Sequence, residues 1–288
     1  VKRIHAEDSF SRDVIKKYLQ QGLINFYVPK EDHKIFSTFV SNRLIEKMDN
    51  PKSGLAEKIE IMGDTYDLAI KEISSLGFTT DLIQLTDSLV QNMIKNFETS
   101  PIMSGLLHKL INSKTGIMFQ KAHMTSVVAS DIIKNLNLNE MLRYEKMAYA
   151  AFFHDIMLAD YEDLAKINSQ EELLNARLPI DKFNLVSHHA KMAAELIFKY
   201  PDVPIGTDEI IRHHHGSLIG EGFETEIDKL PDLSKIFIIA HHFVVKLLLF
   251  KETGGEPRPI TDDLYRIYPS ADMIIIIKAL EKTLKRKK

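Results

Sequence analysis

Nine of the chain's twelve histidines lie between His123 and His242, in small groups roughly 25 to 35 residues apart. His123 comes first, followed by the doublet His154-Asp155, then His188-His189, then His213-His214-His215 and finally His241-His242. A neutral imidazole nitrogen binds transition metals at ordinary pH. Repeated histidines with a carboxylate among them can therefore build a metal site. Groups at this spacing can be supplied by successive helices whose inner faces converge on one point, and the function is to be sought there.

The surroundings of these residues say which of them face inward. His154 and Asp155 sit in the run 147–158, which is apolar nearly all round and reads as a buried helix. A buried carboxylate without a partner is costly, so Asp155 must find a cation or hydrogen-bond donors. The two could also satisfy each other or nearby backbone. His123 lies in the apolar-faced run 118–128, where a single histidine reads equally as a satisfied core residue. His189 follows Leu185-Val186 and precedes Met192, Ala193, Leu196 and Ile197, on an inward stripe. His188, about 100° further round the helix, need not share that face. His214-His215 end a short helix and lead into the segment 216–223, where adjacent residues can both turn toward one centre. His241 interrupts the apolar run 236–240. Taken together the groups point to a metal site. Whether His241 or His242 supplies the last ligand stays open, as does any part for His188 and His213.

The elements that must position these residues are helices. Helical spacing recurs at about 55–76, 80–98, 101–112, 117–136, 142–158, 170–176, 181–199, 207–214, 233–250 and 270–285, with short Gly, Pro and Asn punctuation between. The first 50 residues read differently. Arg3-Ile4-His5-Ala6 is a strand candidate, and Ser11 can cap a helix through Val14, Ile15 and Leu19 that Gly22 ends. Ile24-Asn25-Phe26-Tyr27-Val28 is a second strand candidate, stopped by Pro29. Ile35, Phe36, Phe39, Val40 and Leu44 then recur at helical spacing. The expected fold class is mainly α: a small α/β module over 1–50, a helical linker region over 51–98 opening at Pro51-Lys52-Ser53-Gly54, and an all-helical metal-binding domain over 99–288. His5 and His33 read as ordinary surface residues.

Composition narrows the function classes. The 288 residues are 44% hydrophobic and 27% charged, enough to bury a sizeable core. A net charge of −3 gives no general attraction to nucleic-acid polymers or anionic membranes. The basic end Lys282, Lys285, Arg286, Lys287, Lys288 reads as a solvated helix terminus. Without cysteine, thiolate zinc sites, disulfides and cysteine nucleophiles are excluded. No apolar run reaches the roughly 18 residues of a membrane span, and the start lacks a secretory pattern. A cytoplasmic protein is expected. Gly220-Glu221-Gly222 is no dinucleotide fingerprint, because it lacks the preceding strand and following helix.

The order His, His-Asp, His, His-His and a further ligand position resembles the HD superfamily of metal-dependent phosphohydrolases. The Gly-x-Gly segment after His214-His215 is similar to its HD-GYP branch, whose members hydrolyse cyclic di-GMP. The resemblance covers about residues 100–270. It implies an all-helical HD-type domain, with metal ligands at His123, His154, Asp155, His189, His214 and His215, and with His241 where the family has an aspartate. It also implies two transition-metal ions, iron first, with Asp155 bridging them and a bridging water attacking phosphorus. Manganese, nickel or zinc would suit the same nitrogen-rich set, whereas magnesium and calcium prefer oxygen.

The departures from the family pattern are specific. Ile-Gly-Lys after His-Asp is here Ile156-Met157-Leu158, so a phosphate-holding lysine is missing. His-His-Glu is His214-His215-Gly216, and Gly-Tyr-Pro is Gly222-Phe223-Glu224. The glutamate of three-metal members falls at Phe119, which cannot ligate. Arg258, in Glu256-Pro257-Arg258-Pro259, is the candidate substitute cation for substrate. A cleft walled by Phe152, Phe153 and Met157 would exclude water. The expected function is a phosphodiesterase acting on a cyclic dinucleotide, with Asp155 as its catalytic residue. The alternative is a catalytically silent metal-containing nucleotide sensor or signalling scaffold. The N-terminal module is expected to mediate association with a signalling partner or with itself.

Overall fold

In the computed structural model, residues 12–22, 28–100, 102–223, 226–254 and 260–284 are described, and the regular elements among them are helices. The chain divides into two compact units, residues 1–40 and 41–288. In the first unit lie α1 (Arg12–Gln20) and the beginning of α2 (His33–Met48). Gly22, at φ +80°, closes α1 as its left-handed conformation allows. The strand expected at Arg3–Ala6 and the cap at Ser11 lie outside the described residues. Of the second candidate only Val28 is described, and it carries no strand. The expected α/β character of this module is thus not supported. The apolar spacing from Ile35 to Leu44 is helical and continues as such to Met48.

The second unit contains α3 (Leu55–Leu76), α4 (Thr80–Thr99), α5 (Met103–Ile111), α6 (Ile117–Asn135), α7 (Met141–Phe153), α8 (Gln170–Asn175), α9 (Ile180–Ile197), α10 (Thr207–His213), α11 (Asp232–Thr253), α12 (Ile260–Ile267) and α13 (Ala271–Leu284). Thr79 and Ser169 cap α4 and α8 by accepting from the backbone amides of Leu82 and Glu172. Pro51-Lys52-Ser53-Gly54 forms the turn into α3.

α6 is the centre of this unit. It packs against α7 and α11 most extensively and also against α4, α5 and α13, so it is covered on every side. Phe119, Met124, Val127, Val128, Ile132 and Ile133 are all fully buried. A helix so enclosed must satisfy its polar residues internally. Asn135, for example, donates to Asp131 Oδ2 at 2.8 Å and to Ala279 O at 2.9 Å.

Three expectations are corrected. The helix expected over 142–158 ends at Phe153, and a 3-10 turn, Ile156–Leu158, follows Asp155. α12 escaped notice because it is only two turns long, burying just Ile260 and Leu264 along one edge. α11 is also long and apolar enough, by length and composition, to cross a membrane. Its apolarity has another cause in this fold: α6, α12 and α13 all pack on it, and most of it is buried.

Candidate metal centre

The early end of α7 makes the site. His154 donates its backbone N–H to Ala150 O at 2.9 Å, and Asp155 then leaves helical geometry at φ −109°, ψ 13°. This turn presents both side chains at the helix end. The His154 ring Nδ1 reaches Ala151 O at 2.8 Å, one of the carbonyls a helix terminus leaves without an amide partner.

His189 on α9 and His214 just past α10 likewise direct Nδ1 at the carbonyl three residues back. His189 Nδ1 lies 2.6 Å from Val186 O, and His214 Nδ1 lies 2.6 Å from Ile211 O. A carbonyl has no proton to give, so each of the three Nδ1 atoms carries a proton, and in the neutral rings of His189 and His214 Nε2 is a bare acceptor. The three Nε2 atoms converge on the Asp155 carboxylate. His154 Nε2 is 3.1 Å from Asp155 Oδ2, while His189 and His214 Nε2 lie 3.5 and 3.9 Å from Oδ1. His189 Nε2 also stands 3.1 Å from both His214 Nε2 and His215 Nε2. Lone pairs aimed at one another in a buried pocket repel unless a cation lies between them.

Two groups of ligand atoms result. Asp155, His189, His214 and His215 form one, and His154, Asp155 and His241 form the other, with the atoms of each group within 4.8 Å of one another. His241 Nε2 is buried without a hydrogen-bond partner among the described residues. These donors fit a borderline transition metal: nitrogen-rich, with one carboxylate and second-side hydrogen bonds that fix the ring orientation.

Electrostatics keep four of the rings neutral. Burial lowers the pKa of His189, and lowers those of His214, His215 and His241 well below the usual value, with neighbouring imidazoles adding to the effect. Burial alone would raise the Asp155 pKa. His154 and Lys121 outweigh that and hold the carboxyl well below its ordinary range, so Asp155 is a carboxylate.

The loop after α10 supports this arrangement. Gly220 lies at φ +75°, where its carbonyl accepts from Lys191 N on α9 at 3.2 Å, and Gly222 N donates to Ser187 O at 2.8 Å. Docking of the Gly-x-Gly segment on α9 brings the buried Phe223 against the His215 ring, centroids 4.5 Å apart. His213 is tied to Ser234 Oγ on α11 at 3.0 Å. His188 contacts Asn184 O and belongs to neither group. His242 faces Tyr268, whose hydroxyl is 2.9 Å from Nδ1, and burial lowers its pKa to about 4.

His123 is not brought to the centre. Its ring is fully buried beside Phe119 and belongs to neither ligand group. The residue that α6 does present is Lys121. Its ammonium contacts Asp155 Oδ2 directly and donates to Ala165 O at 2.8 Å. Positions 121 and 123 are about 200° apart on a helix, so they cannot face the same point. Lys121 left a signal in the sequence: a lysine inside an apolar helix must be paired.

A cavity of about 720 Å³ opens onto the centre, lined by Lys121, His214, His215, His241 and His242. Its apolar walls are Ile117, Met118, Ile238 and Leu248, not the expected Phe152, Phe153 and Met157. Phe152 and Phe153 are instead packed among Tyr66, Phe78 and Tyr200. Lys246, one turn beyond His242 on α11, also lines the cavity and was not anticipated. Arg258 lies outside the described residues.

No family model and no curated protein matches the chain. Among solved structures it resembles Bd1817, a HDG"Y"P protein from Bdellovibrio bacteriovorus, with a TM-score of 0.61 over 96% of this chain and 88% of that one, at 14% sequence identity. The chain shares that protein's helical fold.

Proposed function

We propose that this protein is a metal-dependent phosphohydrolase of the HD type, acting on a phosphodiester, with a cyclic dinucleotide such as cyclic di-GMP as its substrate. One observation carries this reading: the Nε2 atoms of His154, His189 and His214 converge on the buried Asp155 carboxylate, beside a cavity that His214, His215 and His241 line. A transition metal bound there, iron being the family's choice, supplies a Lewis acid that acidifies water and neutralises charge on phosphoryl oxygens.

The chain's own residues do the rest. Asp155 stays ionised and, with His189, His214 and His215, holds the centre in one geometry. The backbone carbonyls of Ala151, Val186 and Ile211 keep three of the rings oriented with Nε2 inward. The cavity volume is in the range of pockets that enclose small ligands. Lys246 on its wall offers a cation to a substrate phosphate, beside any contribution from Arg258.

A second reading, a silent metal-containing nucleotide sensor, draws support from Lys121 lying on the Asp155 carboxylate and from Leu158 in place of the family's lysine. Metal-replete protein prepared without oxygen should be given bis(p-nitrophenyl) phosphate and cyclic di-GMP, with and without a chelator. Hydrolysis that chelation abolishes supports the enzyme. Metal bound with neither ester cleaved contradicts it and favours the sensor.

A further inference from the structure

We infer that Lys121 is a built-in replacement for a second metal ion, so that the centre holds one metal per chain, in the group Asp155, His189, His214 and His215. This rests on the metal-site reading proposed above and departs from the dinuclear expectation.

The two carboxylate oxygens of Asp155 face different surroundings. Oδ1 looks toward His189 and His214, 3.5 and 3.9 Å away, with His215 next to His189. These three imidazoles and one oxygen make a complete four-donor set. Oδ2 looks toward His154 and the Lys121 ammonium. The group on this side offers only His154, His241 and the oxygen that Lys121 already contacts.

Lys121 is not a surface side chain that happened to fold inward. It is buried on a helix enclosed on all sides, which fixes its register. A second contact, with Ala165 O, also anchors the ammonium. Withdrawing it would strand a buried carbonyl as well as a charge.

Charge balance leads to the same conclusion. Asp155 is the only carboxylate in either ligand group among the described residues. It cancels Lys121, so one divalent ion leaves the buried centre at a formal charge of about plus two, and a second would bring it to about plus four. His241, standing where the family has an aspartate, supplies no compensating negative charge. An ammonium at that position delivers one positive charge with no demand for further ligands.

The test is a metal count on the full chain. Wild type is purified without oxygen, saturated with Mn(II), freed of unbound ion and analysed for manganese per chain and for its electron paramagnetic resonance spectrum. One manganese per chain with the six-line signal of an isolated ion is the expected result. Two per chain with an exchange-coupled spectrum overturn the inference while leaving the metal centre intact. No retained manganese, and none with Fe(II), would overturn the metal-site reading itself.

K121H then removes the ammonium and adds an imidazole at the same place. Folded K121H, verified by its thermal melt, should rise toward two ions per chain, with coupling between them. A count that stays at one counts against Lys121 as the obstacle. If K121H does not fold, the wild-type count decides the matter.

Discussion

His189 Nε2 stands 3.1 Å from His214 Nε2, although each ring already directs its Nδ1 proton to a main-chain carbonyl. Two bare acceptors at that separation in a buried pocket are stabilised by a cation between them. Chelation of metal-loaded protein should therefore lower its melting temperature by about 5–10 °C, the shift expected from losing a ligand present at some hundredfold its dissociation constant. Readdition of Mn(II) or Fe(II) should restore it. A melt indifferent to chelator and to added metal would contradict the arrangement.

The two histidines of α11 should separate cleanly in mutants. His241 lies with His154 and Asp155, whereas His242 faces the Tyr268 hydroxyl. His242→Ala should keep its metal and alter mainly the handling of substrate in the cavity. His241→Ala removes a donor of the group that Lys121 occupies and should weaken metal retention less than His214→Ala, which loses a ligand of the bound ion and should cost roughly tenfold or more. Retention lost as strongly in His241→Ala as in His214→Ala, measured by titration against a metal-sensitive dye, would place the ion in the group of His241.

His123 gives a pH test independent of the metal. Burial lowers its pKa from 6.5 to about 3, so below pH 6.5 the unfolded chain binds a proton that the folded chain refuses. The sign follows: its contribution to stability is complete above 6.5 and is lost as pH falls toward 3. Between pH 7 and pH 5, urea unfolding of chelated wild type should lose about 2 kcal/mol more than that of His123→Leu. Identical pH slopes would show His123 to be titrating freely.

Gly220 is required by both conformation and space. It sits at φ +75°, and a Cβ there would lie 2.9 Å from Arg212 Cγ and 3.0 Å from Lys191 N. Gly220→Ala should cost about 1–3 kcal/mol. Because the same loop sets Phe223 against His215, the substitution should also weaken metal binding. A thermal melt matching wild type would contradict the close docking on α9.

Much of the site was legible because polar residues stood out against apolar helices. His154-Asp155, His189, His214-His215 and His241 each interrupt an inward stripe, and the structure gathers all of them. The choice between Lys121 and His123 was not legible. Both lie in one apolar run on a helix buried all round, so periodicity marks no inward face and only the docking of α7 selects one. The end of α7 at Phe153 was hidden for a similar reason: hydrophobicity continues through Leu158, and the break comes from the Asp155 backbone and the Ala151 carbonyl cap, neither of which needs glycine or proline. In the first 50 residues, Ile35, Phe36, Phe39 and Val40 signalled their helix by spacing, while β-branched and aromatic content alone suggested strands. Lys246 carried no signal beyond following His242 by four positions on the same helix.

Turnover of cyclic di-GMP by anaerobic, Fe(II)-loaded protein beside Asp155→Ala, followed by chromatography, tests the account most directly. Linear or mononucleotide product from the wild type, absent from Asp155→Ala and abolished by chelation, is the predicted result. Metal-replete wild type that releases no product from this or any other phosphodiester would contradict it.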